Sequence, residues 1–305
     1  MASKHTTTQN AGRYDVIIIG GGPAGATTAI TLAQKKLSVL LLERAVFPRF
    51  HIGESLLPYM TRLLEQMGLL EKIKQQRYVP KWGAEFCGGD GDFRRIDFTD
   101  QGPEYIHYAF QVERAHFDNV LLESAKEAGV NVLEHAQVIR PLLAGERIVG
   151  VEYEYQGQIY REEAAYVVDA SGRAGTIANY FKLRKPITRQ KMIGIFRHFG
   201  DFNEKNNPGY PGDIQVGNHS QGWIWAIPVK DDVISIRHSN TRRISQGFFS
   251  RRGFRAAHPS YSTHSTTPGR NHTAGEHQNG IGLLLLRRNS GRARLLPGRR
   301  CRVLC

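Results

Sequence analysis

An apolar, β-branched run at residues 14–19 ends in three consecutive glycines, and a helical pattern follows at 24–35. A second apolar run, 38–42, stops at Glu43, so the chain opens with a strand–helix–strand unit. Leucines at 56, 57, 63, 64, 69 and 70 predict a helix over 56–75. Residues 85–102 are polar and glycine-rich, with alternation only in short pieces such as 93–98. The pattern then predicts an amphipathic helix over 115–128 and a strand over 131–134. A hairpin of 149–155 and 158–162 turns around Gly157. A buried strand at 165–168 runs into Asp169-Ala170-Ser171-Gly172. Strands at 193–199, 213–216, 222–227 and 233–236 close the patterned region. From Arg237 the periodicity stops, and no internal repeat is found.

Charge changes the picture at that same point. The chain of 305 residues carries 41 Lys plus Arg against 28 Asp plus Glu, a net +13. Residues 1–236 hold 27 of each sign, whereas 237–305 hold 14 Arg, no Lys and one acid, Glu276. The whole excess therefore lies in the tail. A basic balance ordinarily suggests a polyanionic partner; a neutral body with a basic tail does not extend that to the fold. No apolar run approaches the roughly 20 residues of a membrane span, and residues 1–12 lack the apolar core of a signal peptide. Cys87, Cys301 and Cys305 form no metal or redox spacing, and the histidines show no ligand pattern. No metal site and a cytoplasmic setting are expected.

The glycine run carries the chemistry. Gly20, Gly22 and Gly25 satisfy G-x-G-x-x-G between the first strand and helix, with Pro23 and Ala24 inside the motif. The first glycine permits a tight turn, the second a close approach of pyrophosphate, and the third packing of helix on strand. The helix start offers N–H groups and a favourable dipole to phosphate. Glu43, 18 residues after Gly25, is placed to accept from ribose hydroxyls. Strand, glycines, helix, strand and acid together indicate a bound dinucleotide. Arg114, at the head of the second amphipathic helix, reads either as a phosphate partner or as a solvated first-turn residue.

Further motifs follow in a telling order: Leu42-Glu43-Arg44, Phe47-Pro48-Arg49, Ile52-Gly53-Glu54-Ser55-Leu56-Leu57-Pro58, Gln111-Val112-Glu113-Arg114 and Asp169-Ala170-Ser171-Gly172. This order resembles the flavoproteins of the hydroxybenzoate-hydroxylase type, and more closely the flavin-dependent halogenases, in the branch of the chondrochloren halogenase. The likeness covers about residues 13–236, and its most specific element is Gly222-Trp223-Ile224-Trp225-Ala226-Ile227-Pro228. Trp223, Trp225 and Ile227 alternate and so share one strand face; they read as core packing, or, by the resemblance, with Pro228 as a wall against the flavin. Lys81 aligns with the lysine that halogenases set between flavin and substrate, against the plain alternative of a surface charge.

The resemblance implies an α/β fold, with an FAD-binding Rossmann-like domain over 13–78 and 105–180. A β-rich substrate domain would take 79–104 and 181–236. It places FAD against Gly20, Gly22, Pro23, Ala24, Gly25, Glu43, Arg44, Arg49, Gly53, Glu54, Ser55, Arg114, Val138, Asp169 and Gly172. It implies FADH2 from a separate flavin reductase, O2, and chloride or bromide oxidised to hypohalous acid. Lys81 would then hold or carry the halogen toward an electron-rich aromatic, free or carrier-protein-bound. Neither nucleic acid nor a membrane span belongs to that scheme. An aromatic monooxygenase or an isoprenoid reductase on the same scaffold is the enzymatic alternative.

Such flavoproteins carry a later Gly-Asp-Ala…Asp-Pro segment at the flavin, and residues 237–305 contain no Gly-Asp pair. The tail reads as a basic nucleic-acid arm, a disordered linker or a stretch in the wrong reading frame. Its all-Arg composition favours the last, a truncating slip near Arg237 that would leave an inactive remnant.

Overall fold

A computed structural model describes residues 14–88, 93–100, 102, 105–185, 192–203, 209–219 and 222–241. The basic tail beyond Thr241 lies outside these residues. The chain begins with β1 (Tyr14–Ile19), α1 (Pro23–Gln34), β2 (Val39–Leu42), α2 (Pro58–Gln66) and α3 (Leu70–Lys74). Next come β3 (Val79–Lys81), β4 (Gly83–Cys87), β5 (Phe93–Asp97), β6 (Ala109–Gln111), α4 (Arg114–Glu127) and β7 (Asn131–Leu133). Then follow β8 (Gln137–Ala144), β9 (Arg147–Tyr155), β10 (Gln158–Asp169) and α5 (Thr176–Tyr180). The last strands are β11 (Met192–Phe199), β12 (Ile214–His219), β13 (Gly222–Lys230) and β14 (Val233–Thr241).

Contacts divide the chain into two units, residues 1–53, 67–69 and 113–186, and residues 54–66, 70–112 and 187–305. The division differs from the sequence boundaries, because 54–66, 70–78 and 105–112 group with the strand-rich unit.

In the first unit, the described residues form a six-stranded sheet ordered β7-β2-β1-β10-β9-β8. β7, β2, β1 and the C-terminal half of β10 run parallel, and β8 and β9 add antiparallel. β1 and β2 lie inside the sheet, which is why both read as continuous apolar runs rather than alternating ones. Ile17, Ile19, Leu40 and Leu42 pack with Val151 and Ala164 in one core. Ala26, Ala29 and Ile30 form the buried stripe of α1, which packs against α4. β1, β2 and β10 thus deliver Gly20, Glu43 and Asp169 to one end of the sheet, where open α/β sheets bind ligands.

In the second unit, a six-stranded sheet is ordered β11-β14-β13-β12-β4-β5, and β3 pairs with β6 in a small antiparallel sheet. Phe199, Phe202, Ala226, Ile234 and Ile236 form its core.

Three sequence expectations are corrected. The helix over 56–75 is two helices, because Gly68 adopts a positive φ of 72° between α2 and α3. The polar stretch from 85 holds β4 and β5, whose residues are ordered by pairing with each other. β14 runs to Thr241, past the loss of pattern at Arg237, because it is paired on both sides by β11 and β13. Among the described residues no helix is long and apolar enough to cross a membrane.

Candidate functional site

The first unit contains a cleft of about 400 Å³ at the carboxyl ends of β1, β2 and β10. Gly20, Gly22, Pro23, Ala24, Glu43, Arg44, Arg49, Arg114, Val138 and Gly172 all line it. Gly20 has φ +103°, and a Cβ there would sit 2.6 Å from the Ala170 carbonyl oxygen. A Cβ on Gly25 would overlap the Gly20 carbonyl oxygen, so this glycine seats α1 against the turn. Gly22 is the N-cap residue of α1, Pro23 is its first residue, and the first turn carries no acidic side chain. The unpaired N–H groups and dipole of this helix start are left for an anion.

Glu43 is buried and already partly committed. Its Oε2 accepts from Gly21 N–H at 2.6 Å and its Oε1 from Ala45 N–H at 2.8 Å. A carboxylate has about four acceptor positions, so it braces the glycine turn and keeps capacity for hydroxyl donors in the cleft. Asp169 works differently. Its Oδ1 accepts from Ser171 N–H and Oγ, and its Oδ2 from Ile177 N–H at the start of α5. Burial opposes its ionisation, but the hydrogen bonds from Ser171, Ile177 and Ala178 outweigh this and lower its pKa. It shapes the 170–174 wall rather than lining the cleft.

The test of whether these residues fit a dinucleotide rests on Arg49. Its Nη2 lies 3.3 Å from where a Gly22 Cβ would be, facing the glycine turn. Its Nη1 is buried without an aligned hydrogen bond, although Asp118 Oδ2 is 3.3 Å away. A half-buried guanidinium that turns Nη2 toward a helix start suits a pyrophosphate. The lining fits FAD: Arg49 and the α1 turn would meet its phosphates and Glu43 its ribose. Arg49→Met is expected to weaken FAD binding by about tenfold, the loss of one charge-assisted hydrogen bond. Flavin titration followed by fluorescence checks it; unchanged affinity would remove Arg49 from the site.

Arg114 lines the cleft and is not a solvated first-turn residue, because protein groups hold its side chain. It clamps Asp118 through Nε–Oδ1 at 2.7 Å and Nη2–Oδ2 at 3.0 Å, and its Nη1 donates to Ile52 O at 2.8 Å. Gly53, at φ +113°, leaves the space that Nη1 occupies. Arg114 is a strut at the cleft edge. Glu54 and Ser55 fall in the second unit.

There Lys81 is 2% exposed. Its Nζ donates to Ser55 Oγ at 2.9 Å and Leu56 O at 3.0 Å, and it lies 5.2 Å from the Phe98 ring centroid. No carboxylate is hydrogen-bonded to it among the described residues. Burial lowers its pKa to about 8, against the opposing charge of Asp213. The solvated surface charge is therefore not what the structure shows. Because the unfolded lysine keeps its proton up to about 10.5, the unfolded chain binds more protons between pH 8 and 10.5, and stability rises with pH there. The stability of the parent chain relative to Lys81→Met is expected to rise across that window in urea denaturation. A pH-independent difference would contradict a depressed lysine.

Glu54 precedes the lysine's partner Ser55 in sequence but has its own partners: His198 Nε2 is 2.5 Å from its Oε1, and Ser235 Oγ donates to Oε2 at 2.7 Å. On β13, Trp223 and Trp225 stack with centroids 6.0 Å apart and planes at 17°. Ile227 and Pro228 are buried, while Trp223 remains 38% exposed. Sequence reasoning missed Asp118, Asp213 and His198. Only Asp213 had a local signal, the turn Pro211-Gly212-Asp213 ahead of a strand.

The chain matches a family described as FAD binding domain over residues 13–235. It is 32% identical over 234 residues to a tryptophan 2-halogenase of Chondromyces crocatus, covering 72% of this chain and 42% of that protein. It is 31% identical over 247 residues to a 1H-pyrrole-2-carbonyl-[peptidyl-carrier protein] chlorinase of Pseudomonas fluorescens, covering 73% of this chain and 55% of that one. Among solved structures, the myxobacterial chondrochloren halogenase CndH superposes with a TM-score of 0.67 at 32% identity, over 78% of this chain and 55% of that chain. The chain thus spans about half the length of the curated relatives it matches.

Proposed function

The chain belongs to the FAD-binding domain family, and on that premise we propose that it acts as a flavin-dependent halogenase on an electron-rich aromatic substrate. One observation carries the reading beyond FAD binding: Lys81 is a buried lysine whose hydrogen-bond partners among the described residues are neutral, Ser55 Oγ and the Leu56 carbonyl. With a pKa near 8, about a tenth of the lysine is free amine at pH 7, enough to meet an electrophile. Bound in the cleft, FAD reduced by a separate flavin reductase would give two electrons to O2 and chloride or bromide the other two, which yields oxidised flavin, water and hypohalous acid. Lys81 holds or carries the halogen toward the aromatic carbon; the surrounding Phe98 and Ser55 keep it dry and oriented. Trp223, Trp225, Ile227 and Pro228 form a stiff wall. Similarity to a chlorinase named for a carrier-bound pyrrole supports a carrier-bound substrate as well as a free one.

Flavin titration of the purified full chain tests the premise of this reading. One FAD per chain is expected, and failure to retain FAD would favour a second reading that the charge break carries. In that reading a change of frame near Arg237 has replaced the segment that completes the flavin site. DNA sequence across codon 237 tests it: an alternate frame without a Gly-Asp segment would dismiss it.

A further inference from the structure

The reading of Lys81 as the working group leaves open what holds the lysine in place. Its strand, β3, is three residues long, too short to be rigid by itself. Ser55 and Leu56 hold only the tip of the side chain.

The turn at 210–213 fixes the backbone. Gly212, at φ +75°, lies so close that a Cβ there would overlap the Pro80 carbonyl oxygen. Gln111 Nε2, fully buried on β6, donates to Gly212 O at 2.8 Å and ties the turn to the strand paired with β3. Asp213 is 0% exposed. Its Oδ1 accepts from Gly83 N–H at 2.7 Å and Trp82 N–H at 3.1 Å, the two residues directly after Lys81. Its Oδ2 accepts from Arg95 Nε at 2.8 Å. A Cβ on Gly83 would stand 2.8 Å from Asp213 Oδ2 and 2.6 Å from Ile96 O, so only glycine lets the carboxylate this close.

From this geometry we propose that Asp213 is the positioning residue for Lys81: it pins the backbone after the lysine and supplies the buried counter-charge that the ammonium lacks among its hydrogen-bond partners. A carboxylate serves both tasks: one oxygen takes the two N–H groups while the other keeps Arg95. Arg95 in turn pairs with Asp97 and stacks on the Tyr210 ring at 4.1 Å, locking the turn from its other side. Among the described residues, Asp213 is the charge that acts on the lysine; Arg95, with its partner Asp97, and Glu85 lie around that carboxylate, Glu85 accepting from Tyr210 N–H in the same turn. Glu54, next to Ser55, is occupied by His198 and Ser235. The sign of Asp213's influence agrees with its place, since its charge raises the lysine pKa against burial.

The proposal rests on the reading of Lys81, and its test needs neither flavin, halide nor substrate. Full-length chain labelled with 15N-lysine is titrated by NMR, and the Lys81 signal is assigned by its absence in Lys81→Met. Asp213→Asn keeps an acceptor for Trp82 and Gly83 but removes the charge. It is expected to lower the Lys81 midpoint by about one pH unit or more. Arg95→Met removes the opposing cation and is expected to raise the midpoint, and this variant decides alone where the Asn chain does not fold. A Lys81 midpoint unchanged in Asp213→Asn, with only a lower melting temperature, would make Asp213 a structural brace and overturn the proposal. So would a midpoint that fails to rise in Arg95→Met. Either result leaves the halogenase reading to its own product assay.

Discussion

Lys81→Met is expected to lower halogenated product by at least about a hundredfold while FAD binding stays unchanged. Methionine matches the length of the lysine stem and fills the same buried space without the amine. The ammonium is desolvated and lacks a hydrogen-bonded carboxylate, so its removal relieves a cost. That relief offsets the acceptor left unmet at Leu56, worth about 1–3 kcal/mol. Stability should therefore change little, and a loss of product cannot be blamed on unfolding. The FAD cleft is lined by residues 19–51 and 114–176, none of them Lys81. Lys81→Arg is not expected to rescue, because the guanidinium stays charged and offers no free amine. Product measured by mass spectrometry with reduced FAD, O2 and bromide decides; a variant that retains the parent's yield would take Lys81 out of the reaction.

The second large effect belongs to the glycine turn. Gly25→Val is expected to reduce FAD affinity by more than about a hundredfold. The added Cβ overlaps the Gly20 carbonyl oxygen, which is backbone and cannot rotate aside. Either α1 lifts from the sheet or the turn opens, and both displace Gly22 and the helix start from the phosphate position. The cost of such a clash, about 1–3 kcal/mol or more, also falls on the first unit's stability. Calorimetric titration with FAD and a melting curve read the two consequences separately. Retained affinity would mean that the turn does not hold the pyrophosphate.

How far these sites were legible follows from where their partners lie in the chain. The cofactor cleft was readable because β1, the glycines, α1, β2 and Glu43 are contiguous, and each has a pattern of its own. β10 was harder: Glu162 and Glu163 interrupt its apolar positions, yet it runs unbroken because its first half pairs with β9 and its second with β1. β3, β4 and β6 carry Lys81, Glu85 and Gln111, all buried polar residues. Pairing and specific hydrogen bonds bury these, so hydrophobic spacing does not mark them. The pairs Arg49–Asp118 and Arg95–Asp213 were hidden for another reason: their members lie far apart in sequence, and only the fold brings them together.

The proposed activity is the oxidation of halide and its delivery to carbon. Its most direct test is the mass of the product when the purified full chain meets reduced FAD, O2 and bromide with a panel of phenol, pyrrole and indole substrates. The account predicts a product bearing the paired isotope pattern of bromine, formed only with the chain present. A hydroxylated product without bromine, or substrates returned unchanged by a chain that binds FAD, would contradict it.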